Sequence, residues 1–313
     1  MTSFQKFIFV GDLHVKSDNL EESFNFIQWL SSFQKDLKLP IIFSGDQYND
    51  HGIIKLEIFK FWEKAYKLLA GSGYPSISLV GNHDMNQAGT ETIMTAHGKY
   101  TTVIDSPTVY GSMLLLPFFR KNEDFIKAVQ KNKSDIILCH QEFNGCAYEN
   151  GFFSSVGIDP CEVSDRSIVI SGHIHKQQKF GNIWYPGAPR PLTRSDVNTN
   201  KGIWIVDLEN LTNSEFIPTP LEVCKSYVHL EISDNYNWDD CPYNEKTHKI
   251  YVDLKGDQDF IKKNLKQVPR SAKVRTFIIN TNETVQVKES DGISKAFLDY
   301  SQNYFEKEKL SIE

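Results

Sequence analysis

FIFVGDLH, residues 7–14, decides the fold: four apolar residues and a glycine, then Asp12 and His14. An apolar run of this length closed by glycine reads as a parallel strand buried on both faces, its polar residues at the carboxyl end. The device recurs as IIFSGDQ (41–47), SISLVGNHD (76–84), DIILCHQ (135–141) and SIVISGHIH (167–175). The five turns supply Asp12, His14, Asp46, Asn82, His83, Asp84, His140, His173 and His175. Open α/β sheets place their sites beyond the carboxyl ends of strands, so one edge of one sheet is expected to gather them all.

The residue types say what that edge would do. Carboxylate, imidazole and amide oxygen without thiolate suit Mn²⁺, Fe²⁺ or Zn²⁺ in five- or six-coordinate sites. Two such ions held side by side clamp the attacking and leaving oxygens of an in-line displacement at phosphorus, which points to phosphoester hydrolysis. Any one motif is weak evidence. Single histidines elsewhere, His97, His229 and His248, read as surface or satisfied residues.

Composition agrees with a folded enzyme. The 313 residues are 40% hydrophobic and 12% aromatic, enough for more than one unit with a real core. Five cysteines, an odd number without a C-x-x-C pair, fit free thiols in a reducing compartment, and Cys139 reads as a small core residue. The start MTSFQKFIFVGD has no long apolar region and no run reaches about 18 apolar residues, which argues against secretion and membrane spanning. The expectation is a cytoplasmic protein, in the host cytoplasm if the source is viral.

Apolar spacing predicts a helix through Leu20, Phe24, Ile27, Leu30, Phe33 and Leu37, with capping candidates at 17–19. A second carries Leu56, Phe59, Trp62, Ala65 and Leu69 on one face and ends at Gly71–Pro75; a third falls near 121–132. From Ile168 onward, short strands around Ile183, Trp184, Ile203 and Val206 read as hairpins completing a second sheet. Residues 211–225 read as a linker between a catalytic domain (1–210) and a small α/β domain (226–313). In the latter, strands at 228–232 and 250–254, a helix near 257–267, a strand at 273–279 and a last amphipathic helix with Phe297, Tyr300, Tyr304 and Phe305 are expected. The net charge of −6 is uneven, because residues 245–290 carry ten Lys or Arg against six Asp or Glu, +4 there and −10 elsewhere. A basic second unit beside the site could hold a phosphate backbone; an ordinary solvated face is the competing account.

The order Gly-Asp-x-His, Gly-Asp, Gly-Asn-His-Asp, His, Gly-His-x-His over roughly residues 5–190 resembles the calcineurin-like metallophosphoesterase superfamily. Segments 140–160 and 182–209, above all Tyr185-Pro-Gly-Ala-Pro-Arg-Pro-Leu192 followed by Lys201-Gly202, are similar to its DNA-repair nuclease branch, which contains Mre11, SbcD and the T-even phage recombination nuclease subunit. The resemblance implies an α/β fold, two layered sheets flanked by helices, with a capping domain that contacts DNA. It also implies two divalent cations, Mn²⁺ preferred and Mg²⁺, Fe²⁺ or Zn²⁺ open. Asp12, His14 and His175 would hold one, Asn82, His140 and His173 the other, and Asp46 would bridge them. His83 resembles the family's catalytic histidine, stabilising or protonating the leaving oxygen, with Asp84 orienting its ring.

The pattern is departed from in places. The branch often has a second catalytic histidine three residues after the bridging aspartate, where this chain has Asn49; His51 could substitute if the loop bulges. Lys16 replaces the usual glycine after the first motif and could add a phosphate contact. Arg190 and Arg194 suit a phosphate clamp, with salt bridging as the alternative. The reading is a two-metal DNA nuclease, a 3′–5′ exonuclease with single-strand endonuclease activity, serving in recombination and repair. By analogy its partners are DNA, a Rad50/SbcC-like ATPase and a second copy of the chain, although the chain ends before the usual ATPase-docking helices. A small-nucleotide phosphodiesterase or protein phosphatase of the superfamily is the alternative. A non-catalytic architectural subunit is a third, disfavoured by the intact ligand set.

Overall fold

The computed structural model describes residues 4–233, 236–280 and 284–288, in two compact units, Met1–Ser226 and Tyr227–Glu313. In the first unit β1 (Lys6–Val10), α1 (Leu20–Leu37), β2 (Ile41–Phe43), α2 (Leu56–Ala70), β3 (Ser76–Leu79) and β4 (Thr102–Ile104) alternate. Then come β5 (Thr108–Tyr110), β6 (Met113–Leu115), α3 (Asn122–Gln130), β7 (Ile136–Cys139), β8 (Ile168–Ser171), β9 (Gln178–Phe180), β10 (Ile183–Tyr185), β11 (Gly202–Asp207) and β12 (Glu215–Pro218). One sheet is ordered β12-β11-β1-β2-β3-β4 and the other β5-β6-β7-β8-β10-β9. The first is parallel from β1 to β4 and the second from β6 to β10, with antiparallel strands at their margins.

Side-chain alternation explains why the strands read as continuous apolar runs. In β1, Phe7 and Phe9 enter the core between the sheets with Ile42, Leu79, Leu115, Leu138 and Ile170. Ile8 and Val10 face the other way, onto Phe26, Ile27 and Leu30 of α1 and Trp62, Ala65 and Leu69 of α2. Leu114, Ile137 and Val169 cover the far face of the second sheet with Phe125 and Val129 of α3. Both faces of each sheet are thus dry, the four-layer arrangement the apolar strands require.

Three expectations need correction. Leu56 is 70% exposed: the first turn of α2 stands at the surface, and the buried stripe is Ile58, Phe61, Trp62, Ala65, Tyr66 and Leu69. Of the late strands, β9 and β10 pair as an antiparallel hairpin at the edge of the second sheet, but β11 with Ile203 and Val206 pairs antiparallel to β1 in the first. The stretch 211–225 contains β12, hydrogen-bonded along β11, so its Phe216 and Ile217 extend the sheet where a bare linker was expected.

In the second unit β13 (Ser226–Ile232), β14 (His248–Gly256), β15 (Lys273–Asn280) and β16 (Thr284–Lys288) form one sheet in that order, with α4 (Gln258–Leu265) between β14 and β15. Val228, Ile250, Val252, Leu254 and Ile261 make its core. Some of its positive charge is used internally: Arg275 forks onto Asp253 at 2.9 and 2.6 Å, and Lys255 pairs with Glu231 at 2.6 Å. The expected final helix, with Phe297 to Phe305, lies outside the described residues.

Candidate metal centre

Each of the five motifs ends a strand as its sequence suggests, but the strands belong to two sheets. Asp12, Asp46 and Asn82 follow β1, β2 and β3 of the first; His140 and His173 follow β7 and β8 of the second. The expectation of one sheet edge is corrected to the shared end of two, and polar bonds join them there. The His173 amide donates to Asp12 Oδ2 at 3.0 Å and His140 Nδ1 meets the Ser44 carbonyl at 2.9 Å, while within the first sheet Ser44 Oγ donates to Asp12 Oδ1 at 3.1 Å.

Three of the seven ligands are turned inward by unusual backbone. His14, Asp46 and His173 have φ of 45°, 52° and 76°, the left-handed region that side chains other than glycine rarely adopt. Such strain persists only where the surroundings over-determine it, and it clusters at functional sites. Glycine next to a ligand has its own reason: a Cβ on Gly81 would lie 2.2 Å from Asp46 Oδ1, and one on Gly45 2.4 Å from His140 Nδ1.

The donor atoms converge. His14 Nε2 lies 3.2 Å from His175 Nε2 and 3.5 Å from Asp46 Oδ2; His175 Nε2 is 3.6 Å from Asp12 Oδ2. On the other side, Asn82 Oδ1 is 3.0 Å from His140 Nε2 and 2.9 Å from His173 Nδ1, and His140 Nε2 is 3.4 Å from Asp46 Oδ2. Asp12–His14–His175, Asp46–His140–His173 and His14–Asp46–His83 each bring their ligand atoms within 4.8 Å of one another. Asp46 is common to two of these groups, on either side of the cluster. Lone pairs aimed at one another, with two buried carboxylates among them, fit a pair of divalent cations.

Electrostatics point the same way. Burial opposes ionisation of Asp12 and Asp46, yet His140, helped by His175 at Asp12 and by His14 at Asp46, holds both carboxyls below the usual carboxylate range. Burial pushes His14 down to about 3, keeping its ring neutral and its lone pair available. Asp84 is pushed up to about 8 by burial and by Asp46.

Asp84 does not touch the His83 ring. Its oxygens accept the Tyr48 and Gly81 amides, each at 2.9 Å, tying two ligand loops together. The His83 ring is oriented instead by the Asn49 carbonyl at Nδ1, while its own amide donates to Asp46 Oδ1 at 2.8 Å. The position where the nuclease branch would carry histidine thus contributes its backbone. His51 arrives by another route: its ring stacks on His83 with centroids 3.9 Å apart, and its Nδ1 meets the Asn82 carbonyl at 2.9 Å.

Arg190 is corrected outright. It is 2% exposed, with Nη2 donating to the Leu13 carbonyl at 2.7 Å and Nη1 to Glu22 at 3.2 Å, so it braces the first ligand loop and offers no phosphate clamp. Arg194 begins a short turn and is half-buried, outside the ligand cluster. Lys16 carries its ammonium at the surface, 3.6 Å from Asp18. His97 is the satisfied core histidine expected, bonded to Tyr48 Oη at 2.7 Å.

The sequence reading missed Glu142. Its Oε2 lies 3.5 Å from His173 Nε2, opposite the nitrogen that faces Asn82, and its Oε1 accepts from the Tyr148 hydroxyl. Burial raises the Glu142 carboxyl, but His173, with Ser154 and Tyr148, brings it to about 2. A carboxylate behind a ligating imidazole fixes ring and tautomer. A lone glutamate two residues past a histidine carries no pattern that sequence could read. Lys201 was missed likewise: buried, it donates to the His175 carbonyl at 2.9 Å and pairs with Asp196 at 2.6 Å and with Glu149.

A layered α/β sandwich with imidazoles and carboxylates at one end defines a metal-dependent phosphoester hydrolase. The chain belongs to the calcineurin-like phosphoesterase family, which matches residues 5–177. Members of that family are metal-dependent hydrolases that use two divalent ions. No curated protein matches the chain. One solved structure, 11% identical, aligns over 68% of this chain and 98% of its own with a TM-score of 0.45, a likeness too slight to carry an argument. Among the described residues, no helix is long and apolar enough to cross a membrane.

Proposed function

We propose that this protein is a divalent-metal-dependent DNA nuclease, preferring Mn²⁺, that trims ends in the 3′ to 5′ sense and nicks single strands during recombination and repair. The observation that carries this reading is the pair of histidines beyond the metal ligands, His83 with His51 stacked on it at 3.9 Å. The nuclease branch that the chain resembles uses two such histidines, and the loop after Asp46 delivers the second from position 51 in place of 49.

Asp12, His14 and His175 would hold one ion, Asn82, His140 and His173 the other, with Asp46 shared. The ions, when bound, supply Lewis acidity that activates water and stabilises charge at phosphorus. The chain's own residues do the rest. His83 donates its Nδ1–H to the Asn49 carbonyl, so it hands a proton from Nε2 to the leaving ribose oxygen as the imidazolium, a form that burial opposes and the Asp46 carboxylate favours. His51 limits the swing of that ring and adds a second imidazole at the phosphate. Glu142 and Lys201 hold the His173 and His175 loops so that neither ligand must be reordered when substrate arrives. By the same resemblance the protein acts in the cytoplasm as the nuclease subunit of an SbcCD- or Mre11–Rad50-like complex, as a homodimer with an ATPase partner.

End-labelled single- and double-stranded DNA, incubated with Mn²⁺, Mg²⁺ or chelator beside the His83→Asn variant, tests this. Cleavage in Mn²⁺ that disappears with chelator and in the variant is the expected result. Hydrolysis of a cyclic nucleotide or a phosphopeptide with DNA left intact would replace the nuclease reading by a small-substrate or protein phosphoesterase.

A further inference from the structure

The segment between β7 and β8 holds a feature that the metal chemistry does not use. Residues 147–153 form a short antiparallel ribbon, with Ala147 bridging Phe153 and the Tyr148 amide donating to the Phe152 carbonyl at 2.8 Å. Its tip closes at Gly151, φ +88°, whose amide donates to the Tyr148 carbonyl at 3.0 Å. Phe152 and Phe153 follow, 72% and 71% exposed. Neighbours on a ribbon project to opposite faces, so two large rings stand in water on both sides of it.

A loose loop exposing two phenylalanines would mean little, but this ribbon is pinned at three levels. Gln178 clamps its base, accepting the Ala147 amide and donating to the Ala147 carbonyl, both at 2.7 Å. The Tyr148 hydroxyl is held by Glu142, which stands behind His173. At the tip Glu149 is locked onto the buried Lys201, which also holds the His175 carbonyl. Two fastenings therefore lead directly to metal ligands. The ribbon also walls a cleft of about 470 Å³, where Tyr148, Glu149 and Asn150 face His173, His175 and Lys176.

Exposed apolar surface next to a functional cleft marks a place where a ligand or partner docks. The candidate ligand must be continuous with the phosphate at the metal edge and present flat apolar faces next to it, which a nucleic-acid strand does and a compact phosphoester does not. We infer that the 147–153 ribbon is a base-stacking element, with Phe152 and Phe153 receiving unpaired bases of a nucleic-acid strand whose backbone runs through the cleft past His173 and His175. This rests on the nuclease reading and deepens it, since an enzyme that engages unpaired bases acts on single strands and frayed ends. Stacking on aromatic side chains tolerates any sequence, which suits a nuclease without base preference.

The test uses the full chain with chelator present, so that binding is read apart from cleavage. A single-stranded oligonucleotide carrying 2-aminopurine is titrated with wild type, Phe152→Ala/Phe153→Ala and Phe152→Tyr/Phe153→Tyr. The double alanine variant is expected to bind about tenfold or more weakly and to lose the fluorescence quench, while the tyrosine variant keeps both. With Mn²⁺ restored, the ratio of oligonucleotide to bis(p-nitrophenyl) phosphate turnover should fall at least tenfold in the alanine variant. Equal binding and an unchanged ratio, with wild type cutting DNA, would overturn the stacking role alone and leave the rings to a protein partner. A wild type that hydrolyses the small diester yet neither binds nor cuts oligonucleotide would remove the nuclease reading and this inference with it.

Discussion

His97 and His140 are equally buried, 1% and 0% exposed, and sit in electrostatically opposite regions. His97 lies under α2 among Tyr48, Phe59 and Tyr66, with one neutral hydroxyl for a partner; burial pushes its pKa down to about 4. His140 lies where the two sheets meet. Burial alone would depress it, but the Asp46 and Asp12 carboxylates overcome this and push it up to about 9. The same side chain at the same depth is thus a neutral packing group in one place and a seat for positive charge in the other. Buried carboxylates make the difference, and the cation that best answers two of them among several imidazoles is a metal.

The most severe way to break that contrast is to remove the shared carboxylate. Asp46→Ala should drop turnover on any phosphodiester to background and lower bound metal below two equivalents, read by elemental analysis of the dialysed protein. Two retained equivalents would show that Asp46 is not shared. Next, His83→Asn should cost about 10²–10⁴ in kcat with metal content unchanged. A loss confined to KM would assign His83 to binding.

Glu142→Gln sharpens the picture behind the ligands. Losing the carboxylate at His173 Nε2 should weaken one metal site or activity by about 10–100-fold, with rescue at high Mn²⁺. Full activity at limiting Mn²⁺ would mark the contact as incidental. The smallest effect on activity belongs to His97→Gln. Because the folded His97 titrates below its ordinary 6.5, the fold favours the neutral ring; its contribution is intact above pH 6.5 and declines as pH falls toward 4. Wild type should lose about 2–3 kcal/mol by that route over this window, and the variant should show a flatter urea-midpoint profile there, with metal content and turnover at neutral pH held. A parallel profile would place the acid sensitivity elsewhere.

Much of this was legible in the chain because strands buried on both faces are mostly apolar, so FIFV, IIF, IILC and IVIS announce themselves and the metal-type ligand after each is conspicuous, while SISL buries Ser78 against Tyr66 and Thr101. Helix periods were legible for the same reason, though the burial of α2 begins only after its exposed first turn. Partners set by long-range contact were not legible. Nothing local separates Arg190, which braces Leu13 and Glu22, from an arginine reaching for phosphate, or Glu142 from a surface glutamate.

By itself the sequence determined that five strands end in metal-type ligands, and so that the chain is a phosphoesterase of this family, because apolar periodicity and ligand chemistry are properties of a few neighbouring residues. Only the tertiary structure decided that those ligands come from two sheets, that Asn49 offers His83 its carbonyl while His51 offers its ring, and that the 147–153 ribbon is fastened to His173 and His175. Each of these depends on distances between segments up to about 160 residues apart, which close only when both faces of both sheets are packed.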